Sequence, residues 1–203
     1  MSTNAGTMSA HAAPQVDLAK FGMITFLASE AMLFAGLISA YLISWISAGA
    51  QYRPEWVEHS WPIALTGFNT VLLVTSSATL WWAEKNVLKN KPIVFALFLT
   101  VLLGAIFVGI QTKEWLELKH ESLWWGSAGT YSSNFFLLTG FHGLHVVIGV
   151  ILLACTLLGA MMGKFTPHRH TLMTCASLYW HFVDVVWLVV FTIMYIVPWF
   201  VRH

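Results

Sequence analysis

Tyr179-Trp180-His181-Phe182-Val183-Asp184-Val185-Val186-Trp187 lies inside an apolar run, 171–201, and sets two ionisable groups among residues that otherwise suit hydrocarbon. The i, i+3 spacing places His181 and Asp184 on one helix face, and the i, i+7 spacing gives Trp180 and Trp187 a shared stripe. An aspartate at the centre of a membrane helix costs about 2.5–3.5 kcal/mol on insertion scales. Such groups must meet other protein, and the reading of the whole chain turns on what they meet.

Composition fixes the class around this stretch. Hydrophobic residues form 58% of the 203 and charged residues 9%, with a mean hydropathy of +0.71; soluble domains carry roughly 25% charge. The chain therefore reads as all-α and polytopic, a bundle of five transmembrane helices. A net charge of +1 without a basic run argues against a nucleic-acid partner. Cys155 and Cys175 lack metal-ligand spacing and read as small apolar helix residues. Residues 1–17 hold no Lys or Arg, so no cleavable signal is expected, and 1–19 reads as a short polar cytoplasmic tail.

Working backwards from the quoted stretch, the expected spans are 171–199, 132–162, 92–111, 62–83 and 21–45. The first of them, 21–45, carries Glu30 as its only charge and would be about 37 Å long as a helix. The stretch 122–163 is uncharged but too long for one crossing, and Gly126-Ser-Ala-Gly129-Thr reads as an irregular lead-in. Lys20, Lys85, Lys89, Lys91, Lys164 and Arg169 fall on one side of this arrangement, and Arg53, Lys113, Lys119 and Arg202 on the other. The richer side should be cytoplasmic, giving N-terminus in and C-terminus out. The loops are too short to fold as domains.

The polar groups inside the spans are the candidate sites. His142 and His145 repeat the i, i+3 spacing of His181 and Asp184, and the two spans should be antiparallel neighbours. Two readings stand side by side: a metal or haem site on those four residues, or a hydrogen-bond cluster that locks the hairpin. Glu30 is placed for a proton relay or lipid-headgroup contact, or for a structural hydrogen bond to Asn69 or Ser29. Gln111 and Glu114 are expected at a solvated outer interface. Gly140, Gly143 and Gly149, and the pairs Gly36/Ala40 and Gly159/Gly163, read as sites of close helix packing.

Thr139-Gly-Phe-His-Gly-Leu-His-Val-Val-Ile-Gly149 and the 179–187 stretch resemble the two signature segments of subunit III of haem–copper terminal oxidases. Phe26-Leu-Ala-Ser-Glu-Ala-Met-Leu-Phe34 resembles that family's glutamate-bearing helix, and Leu65–Thr70 and Gly109–Trp115 match further positions in order. The resemblance implies a subunit without haem or copper of its own, those cofactors residing in subunits I and II. It implies membership of an oxidoreductase complex that reduces dioxygen to water and pumps protons, fed by cytochrome c or, in a sister branch, quinol. Partners would be subunits I and II and phospholipids, in a bacterial plasma membrane. The resemblance also aligns Glu30 with a carbodiimide-reactive membrane glutamate.

Many members have seven helices, and the resemblance begins at their third. It therefore implies that the family's lipid cleft needs a further small subunit in place of the first two helices, or lies elsewhere, and a larger respiratory supercomplex is a further candidate partner. A stand-alone membrane metalloprotein on the histidines and an ion carrier using Glu30 and Asp184 are the rival classes.

Overall fold

The computed structural model describes residues 17–49, 63–120, 124–127, 129–167 and 169–197. Within them the chain forms helices α1 (Leu18–Ala48), α2 (Ile63–Leu88), α3 (Val94–His120), α4 (Gly129–Met161) and α5 (Thr171–Phe191), the last continuing through a π-helical turn, Thr192–Ile196. The all-α expectation stands, and the described part of each expected span lies on one helix, the last running on into the π-helical turn. Four of these helices, α1, α3, α4 and α5, are long and apolar enough to cross a membrane. The tail 1–16, residue 62 of the second expected span, residues 198–199 of the last, and Arg53 and Arg202 of the loop-charge count lie outside the described residues.

The helix ends depart from expectation for identifiable reasons. The expected tail reaches 19, but α1 already begins at Leu18 because Asp17 caps it, its Oδ1 accepting from the backbone N–H of Ala19 at 3.2 Å and Lys20 at 3.4 Å. The span expected to stop at 83 runs on through Glu84 and Lys85, the Lys85 ammonium lying 5.4 Å from the Trp81 ring centroid. The span expected to stop at 111 continues to His120. Its added turns place Lys113 and Glu117 at i, i+4, 3.5 Å apart on the surface, while Glu114 turns inward.

Helices α2, α3, α4 and α5 close a ring in which each packs against its neighbours, and α1 lies outside that ring against α4 and α5. Phe34 and Tyr41 are the α1 side chains that enter the core. Hydrogen bonds fasten α1 at three heights. Thr171 Oγ1 donates to Asp17 Oδ2 at 3.2 Å where α1 and α5 begin, His145 Nε2 meets Glu30 Oε2 at 3.1 Å midway, and Asn134 Nδ2 donates to Ser44 Oγ at 3.0 Å near the far end.

The ring is filled by aromatic side chains rather than by small-residue seams alone. Trp180 and Trp187 are fully buried, and Gly104 and Gly149 leave the room that the Trp180 indole occupies. Of the other expected packing glycines, Gly140 faces Trp115 and Gly159 faces Phe165. Gly36 and Gly143 have nothing within 4 Å of an added Cβ, and Ala40 is exposed, so the Gly36/Ala40 pair is not a packing site within this chain. Gly163 instead takes a positive φ of 67° in the turn that follows α4, a conformation glycine adopts without steric cost.

Candidate functional site

The i, i+3 pairs do not gather into one cluster. His145 faces α1, His181 and Asp184 face α2, and His142 points into the ring, where its plane stacks on Trp187 (centroids 4.7 Å apart) and the Phe107 edge approaches at 6.2 Å. Neither nitrogen of the fully buried His142 ring has a hydrogen-bond partner. This corrects the expectation that all four lock the α4–α5 hairpin together. Among the described residues no three His, Cys, Asp or Glu side chains converge as metal ligands.

On the α1 side, His145 Nδ1 lies 2.6 Å from the Phe141 carbonyl oxygen. That oxygen can only accept, so Nδ1 carries a hydrogen. The 3.1 Å contact from Nε2 to Glu30 Oε2 then needs one further proton, held on the imidazole or on the carboxyl. The two groups form a pair that shares a proton. His145 is buried while the Glu30 side chain keeps 18% of its surface open, so the carboxyl is the exposed member. Phe34 closes on the imidazole edge-on at 5.1 Å, and Tyr179 lies parallel to it at 6.5 Å, its hydroxyl donating to the His145 carbonyl at 3.2 Å. The sequence reading offered Asn69 or Ser29 as partners for Glu30. Asn69 instead donates to the Phe107 carbonyl at 3.2 Å, and Ser29 to that of Phe26 at 2.7 Å.

Breaking this pair is expected to cost about 1–3 kcal/mol through the unpaired buried imidazole. Thermal unfolding in detergent should fall for Glu30→Leu, fall less for Glu30→Gln, and show a coupling energy in the cycle with His145→Leu. Additive effects would mean that the contact does not join α1 to α4.

Between α2 and α5 runs a ladder of side-chain hydrogen bonds. Trp187 Nε1 donates to Thr70 Oγ1 at 3.0 Å and Trp180 Nε1 to Ser76 Oγ at 2.9 Å. Ser77 donates to the Asp184 carboxylate and lies 2.8 Å from His181 Nδ1. The pairing of early α2 with late α5 follows from their antiparallel run. Ser76, Ser77, Thr66 and Thr70 were missed in the sequence, although their i, i+4, i+7 recurrence with Leu73 and Leu80 marks one buried face of α2.

A third polar group occupies the end where α2 starts and α3 and α5 finish. Glu114 accepts from Thr66 Oγ1 at 3.2 Å and Tyr195 OH at 3.0 Å through Oε1, and from Gln111 Nε2 at 3.3 Å through Oε2. Gln111 and Glu114 are 5% and 1% exposed, so the solvated interface expected for them is not where they sit. Met194 and Tyr195 are buried within the π-helical turn Thr192–Ile196.

An all-helical multi-pass membrane protein, in which neighbouring helices answer Glu30, Asp184 and Glu114 while His142 stays unpartnered, is the class this fold and these contacts define. The family model described as cytochrome c oxidase subunit III matches residues 1–199. Cytochrome c oxidase subunit 3 of Gallus gallus is 37% identical over 196 residues, covering 93% of this chain and 74% of the relative. The subunit 3 of Prototheca wickerhamii is 36% identical over 197 residues, covering 94% and 74%, and that of Marchantia polymorpha 37% over 182, covering 87% and 67%. The chain belongs to the cytochrome c oxidase subunit III family.

Proposed function

We propose that this chain serves as the non-redox subunit III of a respiratory cytochrome c oxidase, in a bacterial plasma membrane with its N-terminus inside and its C-terminus outside. The family match along nearly the whole chain carries the reading. In it, subunits I and II hold haem and copper, and this chain steadies subunit I, binds phospholipid and supports proton uptake. The Glu30–His145 pair suits the last role. It places one proton between a buried imidazole and a partly open carboxyl, so Glu30 is the member through which that proton would enter and leave.

All five helices span the membrane in this reading, α2 included. Its lower hydropathy comes from Thr66, Asn69, Thr70 and Ser76, which are buried against α3 and α5. Its outward face presents Phe68, Val71, Val74 and Trp82. A helix of 26 residues reaches about 39 Å, enough for the roughly 30 Å hydrocarbon layer.

The test is purification of the tagged full chain from its native membranes. Polypeptides carrying the haem and copper spectra of a terminal oxidase should co-purify with it, while the chain separated from them should be spectrally silent. In the same complex, Glu30→Gln is expected to slow proton uptake while the haem spectra stay unchanged. Haem or copper retained by the isolated chain would falsify the non-redox assignment.

A further inference from the structure

We infer that the outward seam between α2 and α5 at His181 is where a transmembrane helix of another polypeptide packs, presenting a hydrogen-bond donor to the His181 Nε2. This rests on the oxidase-subunit reading and goes beyond it by naming the face and the chemistry of contact.

Ser77 commits its only hydrogen to Asp184. With Asp184 ionised, the 2.8 Å contact between Ser77 Oγ and His181 Nδ1 is donated by the imidazole. In the neutral ring this leaves Nε2 as a bare acceptor, and it has no partner among the described residues. His181 is half-buried and shares an i, i+4, i+7 stripe with Val185 and Leu188, which are 59% and 41% exposed. The open nitrogen therefore sits on the surface that would face acyl chains.

Its depth rules out water and headgroups as the answer. His181 follows the first residue of α5 by ten positions, about 15 Å of helix and half of a roughly 30 Å hydrocarbon layer. Acyl chains offer no donor, and a polar group unanswered there is strongly disfavoured. Four other outward hydroxyls avoid the problem within their own helix. Thr25, Ser29, Thr75 and Thr192 each donate to a carbonyl three or four residues back. An imidazole nitrogen that can only accept has no such recourse, and no N–H of its own helix is free at mid-span. A neighbouring helix with a hydroxyl, amide or cationic side chain supplies what is missing, and Val185 and Leu188 give it an apolar surface to pack on.

A photo-crosslinking amino acid placed at Val185 in the full chain, in native membranes, reads the occupant directly. The expected product is an adduct with a different polypeptide. Its yield should fall about tenfold with His181→Leu, which removes the acceptor, and be largely kept by His181→Gln, whose side-chain oxygen restores it. Adducts with phospholipid, or with a second copy of this chain, overturn the seam, as does a yield indifferent to His181→Leu. A polypeptide adduct whose partner belongs to no haem-bearing assembly supports the seam while overturning the oxidase reading.

Discussion

Trp180→Ala is expected to loosen the whole ring, with a loss of about 3–5 kcal/mol if it behaves as large aromatic truncations in packed cores do. The part of that cost due to moving apolar surface out of water is muted in a bilayer, where lipid tails are as apolar as the core. The cavity and the lost van der Waals contacts remain. The side chain comes from α5, and its indole enters a slot between Gly104 of α3 and Gly149 of α4, with its N–H bonded to Ser76 of α2. One residue thus touches every other helix of the ring. The slot is tight: an added Cβ would lie 2.7 Å from the indole at Gly104 and again at Gly149. Gly149→Ala should therefore cost about 1–3 kcal/mol by overpacking, since Gly104 prevents the ring from retreating. In a Trp180→Phe background the same Gly149→Ala should cost much less, because phenylalanine lacks the outer indole ring and only the Tyr179 edge at 3.3 Å stays close. Thermal unfolding followed by circular dichroism would show this as non-additivity. Equal penalties for Gly149→Ala in both backgrounds would mean that the indole does not fill the slot.

The helices were legible in the sequence because a bilayer requires long apolar runs, and such runs stand out whatever the packing. Their ends were less so. Glu114 and Glu117 look alike as letters after an apolar run, yet one faces the core and the other the surface. Charge alone reads both as loop. The same difficulty scattered the expected histidine cluster. His142 and His145 share a face by spacing, but three residues leave them about 60° apart around a helix. That is enough for one to enter the ring and stack on Trp187 while the other reaches α1. Spacing fixes direction relative to a residue's own helix; which helix stands there is a property of the whole bundle. Glu30 was recognisable as a residue needing an answer because it is alone in its span, whereas its partner sits 115 positions along the chain. The α2 hydroxyls were overlooked for the opposite reason, since serine and threonine can satisfy themselves on their own helix and carry no obligatory signal.

The far end of α3 depends on a single carboxyl, and Glu114→Leu is expected to release it. Beyond Gln111 the helix carries Lys113, Glu117, Lys119 and His120, and it keeps its course because Glu114 turns inward to meet Thr66 of α2 and Tyr195 of the π-helical turn. Leucine fills much of the volume but removes the acceptor from three donors, a loss of about 1–3 kcal/mol for a buried partner left unanswered, and larger if more than one donor is stranded. Glutamine keeps one accepting oxygen, so Glu114→Gln should fall between. Tyr195→Phe removes one bond of the set and should cost about 1 kcal/mol. Because the Trp180 slot lies several turns away and shares no partner with Glu114, the damage should stay local. Hydrogen exchange in detergent is expected to quicken in the last two turns of α3 and around Thr192–Ile196, with the amides flanking Gly149 unchanged. Unaltered exchange in the last two turns of α3 would show that the charged end of the helix is held by something other than this carboxyl.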